Sequence, residues 1–257
     1  MANSLNTQWH QFLWDCYHHG KKTTKDDSPI LELMGNYVFL ERPQDFYGPF
    51  YHEVDDSYEY LKYMKKGMYN IPDYPIKDEA LYRYVTSWCD KQQIYNADSN
   101  LIEALGYDSE KGFVYTYPER VLHIPLMNEN HDFCFIDQDK IIMNRLRKNP
   151  GTNRAVATLY QAGLDGKRTD IPCLNWLQAT IRDNKLELHC MFRSNDLFGA
   201  WVSNMYFLTF YGLNLVSNIN QIDDANLKFN GIHYHSSSLH IYETDLPEVR
   251  RILGERK

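Results

Sequence analysis

Apolar and polar residues alternate with period two in the clearest stretch of the chain, residues 186–192. This period is typical of a strand with one buried face. A second run at 174–181 is separated from it by the polar sequence Arg-Asp-Asn-Lys at 182–185. Two runs joined by so short a polar turn predict an antiparallel β-hairpin.

The same patterns predict strands and helices along the rest of the chain. Gly35 interrupts one predicted strand and indicates a bulge or a close approach of backbone. Because the hairpin is antiparallel, we expect an α/β (α+β) fold in which helices flank a mixed sheet, in a single domain over 1–257. The predicted helices are 7–19, one capped by 55–57 and ending at Gly67, 78–90, 138–148, 199–216 and one after Asp245; the further strands are 30–40, 155–160 and 229–242.

Composition narrows the class of protein. The 257 residues are 43% hydrophobic, enough for one sizeable core, and the net charge of −7 argues against a general nucleic-acid surface. No apolar run reaches the ~18–20 residues of a membrane span, and residues 1–6 lack the features of a signal peptide. The five cysteines are odd in number and form no Cys-x-x-Cys pair. We therefore expect reduced thiols and a cytoplasmic protein, in the host cytoplasm if the protein is viral.

Four sequence features at fixed spacing carry the candidate chemistry. A lone cysteine indicates a buried thiol in most proteins. Here Cys173, in Asp-Ile-Pro-Cys-Leu-Asn-Trp-Leu-Gln, is followed by Arg-Ser-Asn-Asp at 193–196, by Asn204 and by Leu-His-Ile-Tyr at 239–242. This set resembles the active-site signature of the thymidylate synthase superfamily, including phage pyrimidine-nucleotide hydroxymethylases and short archaeal-type thymidylate synthases.

The resemblance implies covalent catalysis on a pyrimidine nucleotide. The thiolate of Cys173 would add to C6 of the base, so that C5 becomes nucleophilic and attacks a one-carbon unit. The implied carbon donor is 5,10-methylenetetrahydrofolate or a related pterin. Since Cys173 begins one strand of the predicted hairpin and Arg193 ends the other, we expect the guanidinium to lie beside the thiol and near a substrate phosphate.

The resemblance also implies a role for other positions. The segment Asn-Pro-Gly-Thr-Asn-Arg at 149–154 is similar to the family's Asn-Pro-x-Ser-Arg-Arg, which reaches the phosphate of the neighbouring subunit, and Asn153 replaces its first arginine. We therefore expect a homodimer. The implied catalytic residues are Cys173, Glu59 (a proton relay to the base) and Arg193; the implied substrate-binding residues are Lys25, Tyr117, Arg154 and Ser194, with Asp196 and Asn204 at the base and His240 and Tyr242 at the sugar.

The identity of the base is predicted from Asn204, eight residues after Asp196. An amide can donate to O4 of uracil and accept from its N3–H, whereas deoxycytidylate hydroxymethylases have an aspartate at this position. We therefore expect dUMP as the favoured nucleotide.

The expected product is the 5-hydroxymethyl nucleotide. Leu174 replaces the family's histidine after the cysteine, and only a short polar segment follows Tyr242. A thymidylate synthase that makes dTMP by hydride transfer and a cytidylate 5-hydroxymethylase remain alternatives.

Other classes of function have weaker support. His233-x-His235, with His240 nearby, places two histidines on one strand face. No carboxylate or cysteine completes a recognisable set of metal ligands, so we expect no metal ion. No Gly-rich dinucleotide or P-loop pattern appears. A non-catalytic nucleotide-binding homologue is a further alternative, because residues 153 and 174 depart from the family pattern.

Overall fold

A computed structural model describes residues 5–43, 117–122, 124–127, 133–166 and 171–255. The helices are α1 (Leu5–His19), α2 (Tyr117–Leu122), α3 (Gln138–Lys148), α4 (Ala162–Asp165), α5 (Trp201–Asp223) and α6 (Leu246–Leu253). The strands are β1 (Lys21–Lys25), β2 (Ser28–Glu41), β3 (Ile124–Met127), β4 (Phe133–Ile136), β5 (Val156–Thr158), β6 (Leu174–Arg182), β7 (Lys185–Phe192), β8 (Asn195–Asp196) and β9 (Lys228–Tyr242).

The described residues form one seven-stranded sheet in the order β1-β2-β9-β7-β6-β5, with β8 paired to β9, and a separate pair β3-β4. The β7-β9 and β8-β9 pairs are parallel, whereas the other pairs of the large sheet are antiparallel. The prediction of a mixed sheet flanked by helices is therefore confirmed.

Helices cover one face of this sheet, where α1, α3 and α5 contact β2, β6, β7 and β9. The alternation seen in the sequence explains the arrangement, because every second residue of β7 is buried on this face. Gly212 of α5 allows the closest approach: a Cβ atom there would lie 2.2 Å from the ring of Phe229 on β9. The helices therefore pack directly on the strands that carry the site residues.

The β6-β7 hairpin forms as predicted. Arg182 pairs with Lys185, and the two turn residues between them, Asp183 and Asn184, both have positive φ (49° and 57°). Positive φ at both central positions is the geometry that two-residue hairpin turns require, and Asp and Asn tolerate it better than most residues.

Several predicted ends of elements are confirmed and others are wrong. The helix predicted at 138–148 has those bounds, with Asp137 capping its first turn. The helix predicted at 199–216 instead runs from Trp201 to Asp223, and Ile219, which follows the most apolar stretch, is still buried. Asp245 precedes α6 at the N-cap position, but its side chain makes no capping hydrogen bond.

The expectation of a bulge or close approach at Gly35 is wrong. The pairing of β2 with β9 keeps one register on both sides of this residue, with Met34 opposite Ser238 and Asn36 opposite Ser236. A Cβ atom at Gly35 would meet nothing within 4 Å, whereas its φ is +69°. Glycine therefore fits this position through its backbone conformation.

Some predictions fall outside the described residues. These are Glu59 and the helices predicted at 55–67 and 78–90. None of the described helices combines the length and apolar character that a bilayer span requires.

Candidate active site

Cys173 and Arg193 lie side by side at the open end of the hairpin. The backbone N–H of Arg193 donates to the carbonyl oxygen of Cys173 at 2.8 Å. The guanidinium donates to the two preceding carbonyls, from Nε to Pro172 at 3.1 Å and from Nη2 to Ile171 at 2.7 Å. Arg193 therefore holds the segment that carries the thiol, and Cys173 itself is half-buried and not in a disulfide.

A break in strand register lies two residues from this thiol. Leu174 pairs with Phe192, but Trp176 pairs with Met191, so Asn175 is an extra residue in β6. Its side chain donates to the carbonyl of Pro172 at 2.9 Å, while its own carbonyl accepts from Leu159. Such bulges redirect a strand locally, and Asn175 therefore helps to position Cys173.

Lys25, Ser194, His240 and Tyr242 form a polar cluster at the edge of the site. The Lys25 ammonium lies 3.1 Å from Nε2 of His240 and 3.1 Å from the hydroxyl of Tyr242. Nδ1 of His240 lies 3.4 Å from the hydroxyl of Ser194. Lys25 lies on β1, Ser194 lies between β7 and β8, and His240 and Tyr242 lie on β9, so the sheet brings together three segments that are distant in sequence.

His240 is neutral at physiological pH. Burial and the positive charges of Lys25 and Arg193 lower the pKa of its imidazole to about 4. Because Lys25 is a donor, Nε2 of the neutral ring accepts from it and Nδ1 carries the ring proton. Lys25 of the cluster and the nearby Arg193 therefore place two cations beside a neutral ring, an arrangement suited to an anion such as a phosphate.

Asp196 closes the turn between β8 and α5. Its Oδ1 accepts from the backbone N–H groups of Phe198 at 3.1 Å and Gly199 at 3.0 Å. Burial raises the pKa of its carboxyl group, although these two hydrogen bonds lower it. A Cβ atom at Gly199 would lie 2.6 Å from Oδ2, so this turn leaves no room for a side chain there.

Asn204, in the first turn of α5, is buried and hydrogen-bonded to a second buried amide. Its Nδ2 donates to Oδ1 of Asn195 at 3.1 Å, and Nδ2 of Asn195 donates to the hydroxyl of Tyr234 at 3.2 Å. The sequence patterns did not predict a role for Asn195 or Tyr234. The sequence did contain a signal for Asn195, because this polar residue lies inside the Arg-Ser-x-Asp motif, between the predicted site residues Ser194 and Asp196.

Two predicted residues lie apart from this cluster. The buried ring of Tyr117 packs against Phe192, one residue before Arg193, with centroids 6.3 Å apart. Arg154 is exposed and, among the described residues, only its backbone makes hydrogen bonds. Its side chain therefore projects from the loop between α3 and β5 without a partner in the described part of its own chain.

Histidines also gather on the sheet face that the helices leave open. Ligand atoms of Glu187, His189 and His233 lie within 4.8 Å of one another. Both nitrogens of His233 are hydrogen-bonded, to Tyr37 at 2.8 Å and Glu187 at 3.0 Å. The rings of His189 and His233 are stacked, 4.2 Å apart and within 4° of parallel. Lone pairs lie in the ring planes, so they do not converge on one ion, and we assign no metal here.

Comparison with known proteins agrees with the geometry of this site. A family model described as "Thymidylate synthase" matches residues 55–257. A "Putative thymidylate synthase" of Methanococcoides burtonii is 30% identical over 253 residues, 98% of this chain and 93% of that protein. A protein of the same name from Methanopyrus kandleri is 25% identical over 249 residues, 96% of this chain and 94% of its own.

A third relative, from Methanothermobacter marburgensis and with the same name, is 26% identical over 146 residues, 57% of this chain and 59% of that protein. The family match covers more than half of the chain, including every site residue described from Tyr117 onward. The chain therefore belongs to the thymidylate synthase family, whose members are enzymes that transfer a one-carbon unit to a pyrimidine nucleotide.

Proposed function

We propose that this enzyme transfers the carbon of 5,10-methylenetetrahydrofolate, or of a related pterin, to C5 of dUMP and releases the 5-hydroxymethyl nucleotide. The observation that supports the proposal is that the hairpin holds Cys173, which is half-buried, beside Arg193. The charge of Arg193, together with that of Lys25, also lowers the pKa of His240. A nucleophile, two cations and polar side chains that can bind a sugar hydroxyl therefore lie at one end of the sheet.

Cys173 is the proposed nucleophile. Its thiolate forms a bond to C6 of uracil, and the electron pair of the C5–C6 double bond becomes available at C5. C5 bonds to the donated carbon and then loses its proton, with Glu59 as the proposed route for protons to and from the base. Water adds to the exocyclic carbon after the carrier departs, and the thiolate leaves as the C5–C6 double bond re-forms.

The nucleotide contacts follow from the polar cluster. Arg193, Ser194 and Lys25 are proposed to bind the phosphate, because a guanidinium, a hydroxyl and an ammonium all donate to phosphate oxygens. His240 and Tyr242 are proposed to hold the sugar hydroxyl, and Asp196 and Asn204 to face the base. Tyr117 is proposed to contribute to nucleotide binding next to Phe192 of β7, against which its ring packs. We assign no described residue to the folate.

The product distinguishes this proposal from its closest alternative. Leu174 is buried in the core, so the position after the cysteine offers no proton donor or acceptor. We take this to favour the addition of water. The names of the relatives favour a second candidate, a thymidylate synthase in which hydride produces dTMP.

Mass spectrometry of the product from dUMP and methylenetetrahydrofolate tests this choice. A reaction in ¹⁸O-water should place one labelled oxygen on the exocyclic carbon if the product is hydroxymethyl. Formation of unlabelled dTMP would establish the second candidate. Absence of any new product, with the folded protein present, would contradict both.

We also propose that the active unit is a homodimer. The exposed side chain of Arg154 is available to reach the phosphate site of a second subunit. The open sheet face carries exposed large apolar residues that a second copy would cover, Met34 (69% exposed), Tyr37 (54%) and Met191 (37%). Sedimentation should therefore give the mass of two chains, and an active monomer would contradict this proposal.

The whole chain is proposed to act as a single catalytic domain. The family match begins at residue 55, but β2 precedes it and pairs with β9 over the length of the strand. Lys25 also belongs to this earlier part and contacts His240. Removal of the residues before 44 should therefore abolish folding as well as activity, as circular dichroism of the truncated chain would show.

A further inference from the structure

The loop that carries Arg154 is held against strand β6 by side-chain hydrogen bonds. Gln178 donates from Nε2 to the carbonyl oxygen of Asn153 at 2.5 Å, and Arg182 donates from Nη2 to Oδ1 of Asn153 at 2.6 Å. Arg145 of α3 donates to the carbonyl oxygen of Arg154. The backbone at 153–154 is therefore held from two elements, although both of its residues are exposed.

Gln178 and Arg182 lie on the open face of the sheet. Along β6 they alternate with the buried residues Leu177, Ala179 and Ile181. Successive residues of a strand point to opposite faces, so Gln178 and Arg182 point away from the helices. This is the face that the proposed second copy would cover, and the loop is therefore attached to the proposed subunit interface.

Arg154 lies too far along the sheet to reach the nucleophile of its own chain. Val156 pairs with Gln178, and continuation of this pairing places Arg154 level with Thr180. Thr180 follows Cys173 by seven residues, which corresponds to about 23 Å at ~3.3 Å per residue of strand. This span exceeds the length of an extended arginine side chain. An Arg154 that binds a nucleotide phosphate therefore binds it in another subunit.

We propose that Gln178 and Arg182 are positioning residues, which fix the loop against β6 so that Arg154 points to the phosphate of the nucleotide in a second subunit. The inference rests on the proposed function, in which Arg154 acts in trans. Asn153 belongs to the same arrangement, because its side-chain oxygen accepts from Arg182. An arginine at 153 would instead place two guanidinium groups together, and like charges repel.

Two test variants and one control address the positioning role. Gln178→Ala/Arg182→Met removes both donors on β6. Asn153→Ala removes only the acceptor for Arg182, in an exposed loop where the substitution should not affect folding. Lys185→Met is the matched control, because Lys185 pairs with Arg182 across the hairpin and carries the same charge. Lys185 makes no hydrogen bond to the described loop residues 149–154.

Binding of dUMP, measured by calorimetry on Cys173→Ala protein, requires no turnover. We expect Kd to rise about tenfold in the double variant and about threefold in Asn153→Ala, and to stay within about twofold in Lys185→Met. If the positioning residues act through Arg154, the double variant should cause no further loss when Arg154→Ala is also present. Losses that add in full would overturn the proposal, as would unchanged binding in both test variants.

Subunit mixing gives a second readout, which an effect on the variant's own cysteine site would reverse. Mixing the double variant with Cys173→Ala protein should raise activity above that of either protein, because the Cys173→Ala subunit donates an intact loop to an intact site. Mixing it with Arg154→Ala protein should give no increase, because both subunits donate a defective loop. The opposite pattern would overturn the proposal.

A mixture of Arg154→Ala with Cys173→Ala protein separates this inference from the proposed function. If this mixture regains activity while the double variant gives the opposite pattern, the loop acts in trans and only the positioning role is wrong. If this mixture regains no activity, Arg154 does not act in trans. The proposed function then fails at this residue, and the inference fails with it.

Discussion

Nζ of Lys25 lies 3.1 Å from Nε2 of His240, although the two residues are 215 positions apart in the sequence. Lys25 ends β1 and His240 lies near the end of β9, and β2 connects the two strands within the sheet. The ammonium group is one cause of the low pKa of His240, after burial of the ring. This contact therefore helps burial to keep a residue at the proposed sugar site neutral.

Lys25→Met should raise the pKa of His240 from about 4 toward its ordinary value of 6.5. Removal of a nearby positive charge makes the protonated ring less unfavourable, although burial and Arg193 still act on it. NMR titration of the histidine ring measures the shift. Lys22→Met, on the same strand but with an exposed side chain, is the control and should leave this pKa unchanged. An unchanged pKa in Lys25→Met would contradict the assignment.

The same ring should make the free energy of unfolding depend on pH. The pKa of His240 is about 4 in the folded protein and near 6.5 in the unfolded chain, so the unfolded state binds more protons between these values. Its contribution to stability is complete above pH 6.5 and is lost as the pH falls to about 4, by roughly 3 kcal/mol. Urea unfolding across this range should be less steeply pH-dependent in His240→Gln than in wild type.

Cys173→Ala should abolish turnover and leave nucleotide binding largely intact. The proposed phosphate, sugar and base contacts come from other residues, whereas the covalent bond to C6 comes only from this thiol. Cys190→Ala is the control, since Cys190 is a buried core thiol and its loss should reduce stability rather than kcat. Near-normal turnover by Cys173→Ala would contradict the thiolate mechanism.

Mixing Cys173→Ala with Arg154→Ala protein should restore activity that neither variant has alone. If Arg154 acts in trans, one site of each heterodimer contains an intact cysteine and an intact arginine. Random subunit exchange should then give about a quarter of wild-type activity. Replacing the second protein by a Cys173→Ala/Arg154→Ala double variant should restore none, and activity in that control would invalidate the experiment.

Asn204→Asp should weaken or invert the preference for dUMP over dCMP, because a carboxylate accepts from the cytosine amino group. The carbonyl oxygen of Asn195 accepts from Nδ2 of Asn204, so a carboxylate at position 204 meets an acceptor and should also reduce stability. Addition of Tyr234→Phe removes the hydroxyl that accepts from Asn195, so the Asn195 amide can rotate and should recover part of that stability. Thermal unfolding of the two single variants and the double variant measures this coupling, and strict additivity would contradict it.

Local pattern in the sequence determined the elements that carry the site. Period-two alternation and the turn residues Asp183 and Asn184 were sufficient to predict the β6-β7 hairpin and to place Cys173 and Arg193 at its open end, but their direct pairing depends on the bulge at Asn175, which the sequence did not predict. This was possible because a two-residue turn fixes the register of the strands on both sides of it. The motif spacing likewise identified residues of β8 and β9 that the structure brings to the same end of the sheet.

Long-range contacts were decided only by the tertiary structure. The hydrogen bonds of Lys25 with His240 and Tyr242 depend on strand order, which nothing in the sequence around Lys25 specifies. The chain from Asn204 through Asn195 to Tyr234 joins a helix and two strands, and each of its members is an ordinary polar residue when it is taken alone. Hydrogen-bond direction depends on which groups meet in the absence of water, so the orientation of the Asn204 amide is a property of the packed core.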